Sequence, residues 1–368
     1  MNQVLSQKIK ILSLLAMIAV VFLHASTAAP VMQFPGSIIE GSVGLSSFVQ
    51  YFVANGITRF CIPLFFAISG YLFFLGVEGF SVGAYLNKLG RRVRTLALPF
   101  VLWTLIAYVL SRLFLEIDFF KGAVAYPDKG LNLEGFLLLF QYIYFTPVAP
   151  QLWFIWHLMA MVLLSLPLYF ILRTFLGYVV VAAGLYVFIW QVTVPFFLPS
   201  YLAQEAVLFF SLGGMFALHK FDMSYRLKPI VVVSLFVVWI TLLVVKTFLS
   251  YEYALPYFHQ VLVILGLVVV WFGYDELCSR EKLKAIMLRL SEHTFFIYVF
   301  HLPIMTIMLN SVLSKLGGSP AVSLVLFVVF PVVVICVSVV LGALMSRFVP
   351  NVYAVLTGGR GAKGKSKG

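Results

Sequence analysis

Four side chains stand in apolar surroundings where an ionisable group is costly: His24 in VVFLHAST (20–27), Arg59 in ITRFCIPL, His157 in WFIWHLM and His301 in IYVFHLPI. Each costs roughly 2.5–3.5 kcal/mol to place at membrane depth, so each is a functional candidate. A histidine takes up and releases a proton near neutral pH, and an arginine beside it supplies a permanent positive charge. Together they suit proton transfer at a centre shielded from water. Each also has a structural alternative: a lone histidine can bond a neighbouring helix, and Arg59 can hold helices together through an ion pair. The chain lacks His-x-x-x-His and any further ligands at helical spacing, so metal binding is not expected.

The elements that must position these groups are spanning helices. Hydrophobic residues make up 62% of the 368 residues and charged ones 10%, more apolar surface than a water-soluble chain can hide. Apolar runs fall at roughly 9–27, 47–76, 94–115, 151–172, 176–194, 201–218, 229–249, 256–274, 293–314 and 321–346. This predicts an all-α, polytopic membrane bundle of about ten transmembrane helices. LEGFLLLFQYIYF (133–145) is too short to span and reads as an interfacial or re-entrant piece, which leaves nine or eleven as alternative counts. The first run has no A-x-A-like site after it and is expected to remain as a helix.

Basic residues alternate with the spans. Lys8, Lys10, Lys88, Arg91, Arg92, Arg94, Arg173, Lys220, Arg226, Lys228, Arg280, Lys282, Lys284, Arg289 and Arg347 fall on one side, as do those of the tail GGRGAKGKSKG. Arg59, Arg112, Lys121, Lys129, Lys246 and Lys315 fall elsewhere. The positive-inside rule then puts both termini in the cytoplasm. It also accounts for the net charge of +12 without nucleic acid as a partner. Cys61, Cys278 and Cys336 are too scattered for a disulfide framework. One transmembrane domain, 1–350, is expected, followed by a basic Gly/Lys-rich cytoplasmic tail, 351–368, expected to be disordered. In this topology His24 lies about 15 residues, roughly 22 Å, from the cytoplasmic end of its helix. All four groups fall in the central or outer bilayer, where they can share a cavity.

RFCIPLFFAISGYLFF (59–74), RRVRTLALPFVLW (91–103), QLWFIWHLMAMVLLSLPLY (151–169) and SEHTFFIYVFHLPI (291–304) resemble the acyltransferase-3 family of bacterial membrane proteins. The resemblance covers all ten spans in order. It implies transfer of an acyl group, most often acetyl and sometimes succinyl, from cytoplasmic acyl-CoA to hydroxyls of extracytoplasmic or lipid-linked glycans. Acetyl-CoA is then the implied donor, a glycan or lipid-linked saccharide the acceptor, and the bacterial cytoplasmic membrane the location. His24 matches the family's first-span histidine, taken as catalytic, and His301 the histidine of its FxIYxFH segment. Arg59 precedes the FFxISGYL string, whose small residues are Ser69 and Gly70. Arg91, Arg92 and Arg94 match the basic cluster expected to meet acyl-CoA phosphates.

Two departures stand out. Many members carry Arg or Lys eleven residues before the histidine, where this chain has Ser13; Lys10 lies only about 40° off that helix face. Trp156 and His157 stand where relatives carry a charged pair, so the acidic partner of the histidine is displaced, with Glu205 as its substitute. Within this resemblance an imidazole serves as general base for the acceptor hydroxyl, or as the nucleophile of a covalent acyl-imidazole. Arg59 has the type and depth to stabilise the oxyanion. Trp153 and Trp156 are candidate cavity walls. Thr294, Tyr298 and His301 make a polar stripe on one helix face. The competing reading is a polysaccharide exporter or other secondary transporter, which would more typically show buried acids and paired halves.

Overall fold

In the computed structural model, residues 2–26, 39, 43–79, 81–120, 149–192, 204–302 and 304–360 are described. All regular structure among them is helical. Helix α1 (Gln3–His24) is followed by α2 (Leu45–Ala54), a 3₁₀ turn (Ile57–Phe60) and α3 (Cys61–Phe74). Next come α4 (Val82–Arg92), a π-helical turn (Val93–Ala97) and α5 (Leu98–Leu115). The chain continues through α6 (Trp153–Leu163), α7 (Ser165–Leu172), α8 (Phe175–Trp190), α9 (Gln204–Leu218), α10 (Pro229–Leu249) and α11 (Pro256–Leu277). It closes with α12 (Glu281–Ser291), α13 (Thr294–Phe300), α14 (Ile304–Leu316), α15 (Pro320–Phe348) and α16 (Pro350–Leu356).

Most of the described part of each of the ten apolar runs is helical, with breaks at 55–56, 164 and 301–302 inside the second, fourth and ninth. Six segments are long and apolar enough to cross a membrane as single helices. Two more are bent pairs, α6–α7 at 63° and α13–α14 at 50°, which brings the number of spans to eight if each pair is one. Helices α8 and α9 are apolar but shorter. The short segment 133–145 lies outside the described residues.

Local chemistry starts these helices where polar caps or prolines allow. The Asn2 side chain accepts from the Leu5 N–H at 2.8 Å, and Ser319 caps α15. Proline opens α10, α11, α15 and α16, where a missing N–H costs nothing. Helix α1 is the hub, packed against α2, α3, α11, α12, α13 and α15. Its buried face carries Ile11, Leu12, Met17 and Val21.

Lipid offers no hydrophobic force to push helices together, so small residues and close packing decide which helices pair. The tightest case is α3 on α9. A Cβ on Gly70 would come 2.0 Å from the Phe210 carbonyl oxygen, and one on Gly213 1.9 Å from that of Ala67. Gly70 is therefore a helix-contact residue and stands apart from the cavity expected for it.

The basic cluster lies within the continuous α4–α5 helix rather than in a loop. Arg91 and Arg94 are exposed and Arg92 is half-buried, its guanidinium 5.7 Å from the Phe73 ring. The tail expected to be disordered is ordered up to residue 360: Pro350–Leu356 is helical, Tyr353 is buried, and Trp103 Nε1 donates to the Leu356 carbonyl at 2.9 Å. Residues 361–368 lie outside the described residues.

Candidate active site

On α1, Lys10, Ser13, Met17, Val20 and His24 follow one another at steps of three and four, which stacks them on a single face. That face forms one wall of a cavity of about 560 Å³. Ser69 on α3, Leu96 in the π-helical turn, and Gln151, Trp153 and Phe154 at the start of α6 form further walls. Glu292, Thr294, Phe295 and Tyr298 come from the α12–α13 segment, and Arg360 comes from the turn after α16. From Lys10 to His24 the cavity runs fourteen residues along α1, about 21 Å. Its volume is that of a small-molecule site.

His24 is the last residue of α1. Its ring lies 5.6 Å, centroid to centroid, from the ring of His301, which occupies the end of α13 where the chain bends toward α14. His301 is fully buried. Its Nδ1 lies 2.8 Å from the Tyr298 carbonyl oxygen and 3.1 Å from that of Ile297. Carbonyls only accept, so Nδ1 carries the proton and Nε2 keeps its lone pair. That Nε2 is buried and has no hydrogen-bond partner among the described residues.

Tyr298 and Gln151 hold this corner. The Tyr298 hydroxyl donates to the Gln151 carbonyl at 2.6 Å. The Gln151 amide donates to the Leu302 and Val299 carbonyls at 2.6 and 3.1 Å. These bonds consume its NH₂ and leave Gln151 Oε1 buried without a partner among the described residues. A buried unpaired acceptor in a cavity wall is a place for a ligand N–H or O–H.

The other candidates divide. Lys10, Ser13, Ser69, Trp153 and Tyr298 line the cavity with His24. Trp156 packs on Phe100 instead, ring centroids 6.5 Å apart. His157 is turned from the cavity: its Nδ1 meets the Trp153 carbonyl at 2.7 Å and its ring meets the Trp153 ring edge-on at 5.1 Å. Arg59, in the 3₁₀ turn, is absent from the cavity wall. Its Nε is buried without a hydrogen-bond partner among the described residues. Lys8 also faces away, 3.8 Å from Asp275 and 4.7 Å from the Trp271 ring centroid.

Gln151, Glu292 and Arg360 are cavity residues that sequence reasoning passed over. Gln151 offers a weak signal as a polar residue at the head of an apolar run. Arg360 offers none, since its surroundings read as a polar tail. A second buried polar group also went unread. Lys246, fully buried, donates to the Asn55 carbonyl at 2.9 Å and lies 4.8 Å from the Tyr51 ring. Among the described residues no three His, Cys, Asp or Glu side chains converge as a metal site would require.

An imidazole in the wall of a long, mostly apolar cavity, with a second imidazole behind it and Lys10 and Arg360 in the same wall, is an arrangement for moving a proton beside an elongated, anionic substrate. The family model described as "Acyltransferase domain" matches residues 8–344. The chain belongs to this acyltransferase family. It is also similar to the "Succinoglycan biosynthesis protein ExoH" of Rhizobium meliloti (strain 1021), at 25% identity over 374 residues, covering 99% of this chain and 95% of that protein. No solved structure matches the chain. As a member of the acyltransferase family with this many apolar helices, the chain is a multi-pass membrane acyltransferase, and its family match runs from α1 through most of α15.

Proposed function

We propose that the protein is a membrane O-acyltransferase that moves an acetyl group from cytoplasmic acetyl-CoA to a hydroxyl of an extracytoplasmic or lipid-linked glycan. The observation that carries this is that His24, its ring 5.6 Å from that of the buried His301, lines a cavity that also takes in Lys10, about 21 Å away along α1, and Arg360. The name of the similar ExoH protein, a succinoglycan biosynthesis protein, supports a polysaccharide acceptor. Both termini face the cytoplasm in this proposal, which places Lys10 and Arg360 at the cytoplasmic mouth and the histidines deeper.

The donor enters with its phosphates at the mouth and its thioester toward His24. One imidazole removes the acceptor hydroxyl proton as the oxygen attacks the thioester carbonyl. The C–S bond then breaks, the acyl group stays on the acceptor oxygen, and the imidazolium returns the proton to the departing thiolate. His24 is the imidazole that lines the cavity, and the buried His301 beside it, its Nδ1 held by two carbonyls, keeps Nε2 unprotonated to support it. His24 ends α1, where the carbonyl end of the helix dipole stabilises an imidazolium as it forms. Ser69 in the wall is a neutral donor for the developing oxyanion. Arg59, standing off the wall, contributes through its charge rather than by direct hydrogen bonding.

The test is purified protein in lipid discs with acetyl-labelled acetyl-CoA and a membrane glycolipid extract. Thiol release coupled to label on glycan, absent in His24→Ala, is the expected result. Glycan passage across proteoliposomes with no thioester consumption would replace the transferase by an exporter.

A further inference from the structure

Pro99 has no N–H, so the Thr95 carbonyl four residues earlier loses its ordinary helical partner. The backbone answers locally with the π-helical turn Val93–Ala97, closed by Leu98 N–H to the Val93 carbonyl. The Thr95 carbonyl is met by a residue far along the chain: Arg360 Nη1 donates to it at 2.9 Å. Gly358 and Gly359 make the return possible. Both are left-handed, at φ +60° and +80°, and a Cβ on Gly358 would lie 2.5 Å from the Thr95 carbonyl oxygen. Thr357 Oγ1 pins the turn by donating to the Arg360 carbonyl at 2.7 Å.

This construction delivers a guanidinium to the cavity wall. Its plane lies over the Phe295 ring, 4.3 Å from the centroid. Only Nη1 is engaged by protein acceptors among the described residues. Burial, and next the charge of Arg92, push the Arg360 guanidinium down to about 10, so it stays charged at neutral pH. Lys10 lies in the same cavity wall. Glu292, the acid of that wall, acts instead on His293 and Tyr353. Arg92 ends α4 three residues before Thr95, one helical turn from the carbonyl that holds Arg360, so an anion bound there would relieve the repulsion between the two cations.

We propose that Arg360 is a phosphate-binding residue, clamping a phosphate of a nucleotide-thioester donor together with Arg92 at the mouth of the cavity. The proposal rests on acyl-CoA being the donor. It assigns the segment after α16 to the donor site, and it separates Arg92 from its exposed neighbours Arg91 and Arg94.

Filling the Thr95 carbonyl is the structural role that must be told apart from this one. Arg360→Gln keeps an N–H donor for Thr95 and removes the charge; Arg360→Lys keeps the charge and removes the planar fork. KM and kcat are measured for acetyl-CoA and for acetyl-pantetheine, which lacks phosphate, with melting temperatures alongside. Wild type should prefer acetyl-CoA. Arg360→Gln should raise the acetyl-CoA KM about tenfold or more, with little change in kcat or in the acetyl-pantetheine KM. Arg360→Lys should lose part of the preference, which provides the reading if the glutamine variant fails to fold. A wild-type preference left intact by either substitution, or KM values that rise equally for both donors, overturns the assignment alone. Wild-type protein that uses both donors alike overturns the acyl-CoA reading and this assignment with it.

Discussion

Gly70→Ala adds one methyl group, and its consequence follows from the geometry of α3 against α9. The new Cβ would sit 2.0 Å from the Phe210 carbonyl oxygen and 2.8 Å from its carbon, while ordinary contact begins near 3.4 Å. The neighbour is backbone, so no side chain can rotate away, and the helices must part by about 1.4 Å at the crossing. A gap of 0.5–1 Å already forfeits roughly a quarter to a half of a contact's dispersion well. In lipid there is little else to hold the pair. Overpacking of a core typically costs 1–3 kcal/mol, and a backbone clash belongs at the upper end, about 3 kcal/mol, or roughly a hundredfold in the folding equilibrium. Gly213→Ala strains the same crossing from the other side, against the Ala67 carbonyl. Once one substitution has separated the helices the second meets less resistance, so the double variant should cost less than the sum. Ser69, one residue from Gly70, lines the cavity, so turnover should fall with stability. The assay is unfolding of the purified protein in mixed micelles by denaturing detergent, with acyl transfer measured in parallel. A Gly70→Ala protein that unfolds with the wild type, or strict additivity with Gly213→Ala, would refute the close approach of these two backbones.

Three further outcomes are expected. His24→Ala should abolish acyl transfer at unchanged melting temperature, and His301→Gln should lower turnover by about 10²–10⁴-fold; retention of a tenth of wild-type turnover by either variant removes that residue from the chemistry. Arg59→Lys should keep most of both stability and turnover, because it keeps the charge of a residue that stands off the cavity wall, while Arg59→Ala should lower turnover; a lysine variant that folds normally but is inactive would return Arg59 to a hydrogen-bonding role at the oxyanion. Arg92→Lys should weaken acetyl-CoA binding while Arg91→Lys and Arg94→Lys do not, as titration calorimetry would show; equal effects at all three positions would mean that the cluster acts only as diffuse charge.

Much of the architecture is legible because hydrocarbon imposes a simple rule: every span must be apolar and helical. The ten apolar runs, the polar stripe of Thr294 and Tyr298, and the shared face of Lys10, Ser13 and His24 all follow from period and length. Pairing between helices is different, because two apolar surfaces look alike in one dimension. Gly70 reads as a small residue beside Ser69, and only the Phe210 backbone against it gives it a role. Arg360 sits in a stretch whose composition reads as a tail. Its position follows from a carbonyl left unpaired by Pro99, more than 250 residues earlier, a relation that no local pattern carries.

His157 and His301 show where such reading stops and why. Both are buried in apolar helices, and in both Nδ1 meets the carbonyl four residues back on the same helix, Trp153 for one and Ile297 for the other. His301 Nδ1 also meets the nearer Tyr298 carbonyl, at 2.8 Å, but period and burial alone do not tell the two residues apart. What separates them is the helix that arrives alongside. His301 receives the end of α1 and the ring of His24, which lines the cavity, while His157 receives the edge of Trp153; neither His157 nor His301 is itself in the cavity wall. The pairing of α1 with α13 thus decides which histidine has a second imidazole within reach of its unprotonated Nε2. A change that moves α1, such as Gly70→Ala acting through α3, should disturb His301 and leave the surroundings of His157 nearly as they are.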